Sequence, residues 1–177
     1  MSSDLVPLLP KVPPERRAAA FAIDAVAVGF PSLLLGGNWF VEIIFFVLLW
    51  LILRVFLTTK NQGQSLGRWA LDMRVVDTVF NRTPGVQELC KREALLGICT
   101  ALAVIGLGGI TSTNAAVLLL MLPLALDGGV ALADSQRYPQ AFHDRLARTI
   151  VVGTSRGYSL DIKLKKLLDQ LQRNVRR

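Results

Sequence analysis

All 20 Lys and Arg residues of this chain fall in three blocks, Lys11–Arg17, Arg54–Arg92 and Arg137–Arg177, and the two tracts between them hold none. That placement constrains the fold more than any local motif. The cation-free tracts are almost wholly apolar, and apolar surroundings leave helix as the conformation in which such a backbone satisfies its own hydrogen bonds. Basic residues confined to the flanks of apolar runs are the pattern that membrane insertion imposes, because cytoplasmic loops retain the Lys and Arg. Four crossings are the simple count that leaves all three blocks on one side.

Composition agrees. At 52% hydrophobic and a mean hydropathy of +0.45, the 177-residue chain is too apolar for an ordinary soluble domain. A net charge of +7 spread over the flanks of spans argues for topology and for anionic lipid held by a basic cytoplasmic face, and against nucleic acid. Lys11, Arg16 and Arg17 resemble the basic region of a secretory signal, but no small-residue cleavage site follows. The first helix is therefore expected to stay in the mature protein. Cys90 and Cys99 lack CxxC spacing and a nearby histidine and read as packing residues. His143, the only histidine, makes no metal centre by itself, and no cofactor is implied.

The expected fold is all-α and integral to the membrane, with four transmembrane helices at about 17–35, 39–57, 94–110 and 115–133 in a membrane domain covering 14–154, each near the length a bilayer requires. A proline-rich lead at 1–13 precedes it, and a cytoplasmic loop occupies 58–91. Beneath the membrane, Ser65–Leu71 suits a short interfacial helix bearing Trp69. Met73–Val76 and Arg148–Thr154 suit two strands, predicted to pair because neither satisfies its backbone alone. Gly63 and Gly67 lack the Walker spacing that a phosphate loop needs. Residues 155–177 are expected to form a basic amphipathic helix: Leu160, Leu164, Leu167, Leu168, Leu171 and Val175 recur at helical spacing. Such a helix suits anionic lipid, a partner, or the protein's own cytoplasmic face.

Ionisable residues at membrane depth are the candidate site. Asp24 lies seven residues after Arg17, about 10 Å along the helix and on the same face. Asp127 lies seven residues before Asp134, at similar depth in the fourth helix. The two carboxylates have several options: sharing a proton, holding a cation, or pairing with Arg17 or with Arg92 at the mouth of the third helix. Equally, each is a separately satisfied buried acid.

Arg17 followed by Asp24, GQSLGRWALDMRVVD at Gly63–Asp77 and FHDRLARTIVV at Phe142–Val152 resemble the signature blocks of the RDD family of bacterial membrane proteins. Arg92–Glu93 resembles that family's recurring RE pair. By this resemblance Arg17, Asp24 and Asp144 are the arginine and two aspartates for which the family is named. Arg148 departs from it, standing where a glycine is expected after HDRLA. The resemblance implies a bacterial plasma membrane, or an internal one such as the thylakoid, and the charge pattern puts both termini in the cytoplasm. Transport is suggested for the family and sodium/proton antiport is proposed for some members.

Two functional expectations follow. The first is a small cation/proton transporter or antiporter that uses Asp24 and Asp127, tuned by Arg17, with Asp144, His143 and Arg145 shaping the cytoplasmic mouth. Four spans are few for alternating access, so it requires a homo-oligomer or larger assembly. The second is a non-catalytic accessory or assembly subunit of a larger membrane complex, in which Arg17, Asp24 and Asp144 form a structural network. An enzyme is not expected, since no nucleophile–base pair, metal-ligand cluster or cofactor loop is visible.

Overall fold

The computed structural model describes residues 9–34, 39–108, 110, 114–134 and 138–154. The expected C-terminal helix at 155–177 and the first eight residues of the lead lie outside the described residues. Helix α1 spans Pro14–Leu34; Pro14 suits its first turn, where a backbone N–H would have no helical partner. Helix α2, Trp39–Leu51, passes through a π-helical turn at Ile52–Phe56 into α3, Leu57–Lys60. After the short α4 (Leu66–Ala70) and β1 (Met73–Asp77) comes α5, Val86–Gly108. A 3-10 segment, Ala115–Met121, leads into α6, Leu122–Ala133, and the chain then forms α7 (Phe142–Leu146) and β2 (Thr149–Gly153).

Two stretches, Phe40–Lys60 and Ala115–Ala133, are long and apolar enough to cross a membrane. Only 22% and 6% of their apolar windows are covered by the rest of the protein, whereas the core helix of a soluble domain is largely buried. Helices α1 and α5 run alongside them. Helix α5 begins at Val86, well before the apolar run that starts at Ala94, because Arg92 and Glu93 find protein partners and need not end the helix.

The two strands pair antiparallel in the register Met73↔Gly153 to Asp77↔Thr149. Neither edge is left open: Val75 N–H donates to Gly63 O at 2.9 Å and Gly153 N–H to Pro10 O at 2.8 Å, which blunts the edge-pairing hazard of a small sheet. Gly63 sits at φ +89°, and a Cβ there would run into the Val75 backbone, so its role is to close the sheet. The inner face of the sheet packs on α1 through Val12, Ala20, Met73, Val75 and Val151. A second cluster, Val28, Phe46, Trp50 and Leu96, joins α1, α2 and α5. Asp24 falls on α1 between Ala20 of the first cluster and Val28 of the second. Of the two cysteines expected to pack, Cys99 is buried but Cys90 is exposed, because α5 turns that face outward.

Candidate functional site

Asp24 is fully buried, and all of its bonds come from protein donors. Its Oδ1 accepts the Gly67 N–H at 2.7 Å; its Oδ2 accepts Ser65 Oγ at 2.6 Å and Arg54 Nη1 at 2.7 Å. Ser65 is also the N-cap of α4, accepting the Arg68 N–H. A carboxylate and a hydroxyl thus close one helix start, where unsatisfied N–H groups favour negative charge. Gly67 permits this approach, since a Cβ there would collide with the Ala20 carbonyl of α1.

Arg54 carries the network onward from the π-helical turn. Its Nε donates to Glu93 Oε2 at 2.6 Å, its guanidinium lies 4.9 Å from the Trp50 ring centroid, and the Trp50 indole N–H reaches the Glu93 carbonyl at 3.2 Å. Arg68 Nη2 bonds the other Glu93 oxygen at 3.0 Å. Burial lowers Arg68 to about 9, the Arg54 and Arg92 guanidiniums adding to the effect and Glu93 and Asp24 opposing it. Arg68 therefore stays charged at neutral pH, with its desolvation only partly offset.

A second group centres on α7. Asp144, fully buried, pairs with Arg17 and with Arg92 Nη2 at 2.9 Å, and accepts the Ala141 N–H at 3.2 Å. Burial alone would push its carboxyl up, but Arg92, His143 and Arg17, with the Ala141 N–H, hold it well below the usual carboxylate range. Next to it, His143 Nδ1 meets Asp127 Oδ2 at 2.5 Å, and the His143 N–H donates to Asp127 Oδ1 at 2.9 Å. On the opposite ring edge Arg92 Nη2 stands 3.3 Å from Nε2. A guanidinium only donates, so wherever that contact is a hydrogen bond Nε2 accepts and Nδ1–H faces Asp127. Asp144 Oδ1 lies 3.4 Å from the same Nε2.

The sequence-predicted residues thus divide. Arg17, Arg92 and Asp144 are joined, and His143 links them to Asp127. Asp24 is not bonded to Arg17, which reaches across to Asp144 and the Pro139 carbonyl, nor to Asp127, which His143 takes. Arg145, expected at the mouth beside His143, is half-exposed and pairs with Asp134 at 3.1 Å, whereas His143 itself is buried. Sequence reasoning missed Arg54 and Arg68 and saw Glu93 only as half of a motif. The signal for Arg54 was present, because it is a charge inside the second apolar stretch, flagged by the same depth argument as Asp24.

Both groups face a cavity of about 350 Å³, with Arg17, Arg54, Arg68, Arg92, Asp127 and His143 in its wall. The remaining wall is largely apolar, including Phe21, Leu96, Leu124 and Leu132. Among the described residues no cluster of three or more His, Cys, Asp or Glu is placed to hold a metal ion. The RDD family model matches residues 12–148 of the chain. Comparison with curated proteins and with solved structures returns no match.

Proposed function

The chain belongs to the RDD family, and from that premise we propose that it is a multi-pass membrane transporter in which proton exchange at the His143–Asp127 pair is linked to a solute held in the cavity. On this reading α1 and α5 cross the membrane beside the two apolar spans, and Arg17, Asp144 and Arg92 form the cytoplasmic end of the site.

The observation that carries the proposal is His143 itself, buried on the cavity wall between three charged side chains from three elements: Asp127 of α6, Arg92 of α5 and Asp144 of α7. In the neutral ring Nε2 accepts from Arg92. Once protonated, Nε2–H turns to Asp144 Oδ1 and repels the guanidinium, so gain of one proton rearranges the contact between two helices. Histidine is the side chain suited to this near neutral pH. A bare metal cation is the less favoured solute, since four guanidiniums line the cavity against one carboxylate. In proteoliposomes, solute-driven proton movement should fall by about tenfold or more in Asp127→Asn, with the variant still eluting as folded protein.

The accessory-subunit reading draws on a different observation, the binding of Asp24 and Arg54 within the Asp24–Arg54–Glu93–Arg68 network. A carboxylate with three donors and a paired arginine is a lock, and it serves a scaffold as well as a transporter. A folded wild-type protein that moves no protons would favour this second reading.

A further inference from the structure

The cavity has two chemically distinct walls. At one end, Arg68 and Arg92 are 4% and 2% exposed, yet Arg68 Nη1 and both Nε and Nη1 of Arg92 have no hydrogen-bond partner. Buried N–H groups without acceptors each cost about 1–3 kcal/mol, and such groups in a native interior call for an explanation. The internal charges do not supply one. Arg92 Nε stays 3.7 Å from Glu93 Oε1, and Asp144 Oδ1, itself without a hydrogen bond, meets Arg92 at Nη2, 2.9 Å away, so Arg68 Nη1 and Arg92 Nη1 keep no acceptor.

The other end is apolar and open. Leu132, in the cavity wall, is 72% exposed on the outer surface of α6. Gly128 and Gly129 also line the cavity, and a Cβ at either would meet nothing within 4 Å. The opening therefore lies on a span whose surface is almost entirely uncovered by protein, which in a bilayer is covered by acyl chains.

We propose that the cavity binds a single-chain amphiphile with an anionic phosphate or carboxylate headgroup, the head accepting from the free N–H groups of Arg68 and Arg92 and the chain leaving past Gly128, Gly129 and Leu132. Planar guanidiniums match these oxyanions with paired, charge-assisted bonds. Such a ligand supplies both missing partners, acceptors for the buried donors and hydrocarbon for the apolar wall. This names the solute class for the proton-linked site and rests on that reading for its role in transport.

The test is native mass spectrometry of the purified full-length protein with lauroyl lysophosphatidate, with lauroyl lysophosphatidylcholine and with inorganic phosphate alone. A one-to-one adduct is expected with lysophosphatidate, with about tenfold less of the zwitterionic lipid. Arg68→Gln removes a donor; Gly129→Leu narrows the cavity from a position where a Cβ meets nothing within 4 Å, leaves every charged residue in place and favours helix, so it keeps the test open if the first variant does not fold. Each should reduce the lysophosphatidate adduct by about tenfold. Equal retention of both lipids, an undiminished adduct in Gly129→Leu, or an equally retained adduct with inorganic phosphate alone would each overturn the assignment. Lysophosphatidate binding without proton movement would sink the transport reading and leave this one standing.

Discussion

The two buried carboxylates that look alike in the sequence, Asp24 and Asp127, are held by different kinds of partner. Asp24 accepts from a permanent cation and two neutral donors, whereas Asp127 meets the His143 imidazole. Replacing Asp24 by Asn puts an amide N–H₂ against donors and strips Arg54 of one partner. Breaking such a buried pair costs about 3–5 kcal/mol, so Asp24→Asn should lower the thermal midpoint in detergent sharply, whereas Asp127→Asn should leave it close to that of the wild type. A midpoint for Asp24→Asn unchanged from wild type would remove the lock. Asp144 supplies a pH signature. Its folded pKa is depressed, so its contribution to stability is present above the ordinary carboxylate pKa of about 4 and is lost as pH falls through the lower folded value. Unfolding midpoints should therefore drop on acidification below that range, and Asp144→Asn should flatten that drop. The sequence singled out Asp24 and Asp127 as acids in apolar runs, and both are buried. Which cation met which acid was not, because pairing depends on where neighbouring helices turn their faces.

Among the elements, the short pieces between the long helices were the most readable. Ser65 caps α4 and the two strands pair as their β-branched runs predicted, since local capping and alternation act over a few residues. The close crossing of α4 over α1 was not readable, because it depends on a glycine meeting a backbone some forty residues away. Gly67→Ala should therefore damage folding far beyond its effect on helix propensity, by about 1–3 kcal/mol of overpacking. Thermal unfolding of the purified variant measures this, and wild-type stability would contradict the contact. The turn into β2 gives the opposite case. Arg148, where the family resemblance leads one to expect glycine, sits at φ +52°, and its carbonyl accepts from the Thr78 N–H and hydroxyl. The turn survives the departure at a cost in strain. Arg148→Gly should raise stability by about 1 kcal/mol, and a destabilised variant would mean that the arginine side chain holds the turn in a way its backbone does not.

At the scale of the whole molecule, the basic blocks also supply the chemistry of the site. Arg17, Arg54, Arg68 and Arg92 come from the first two blocks and converge on one cavity because the loop between α3 and α5 folds back under α1. Membrane character and the long helices were accessible from charge placement and hydropathy, and the family from its sequence blocks; the cavity was not, since it is formed by side chains from five helices, the π-helical turn and both strands. The central claim is that this cavity works through the His143–Asp127 pair while Asp24 holds the frame. Its most direct test is solute-driven proton movement in proteoliposomes carrying the wild type or Asp127→Asn at matched folded protein, with lysophosphatidate as the driving solute. Robust movement is expected in the wild type and a loss of about tenfold or more in the variant; movement at the wild-type rate in Asp127→Asn would contradict the proposed role of the pair.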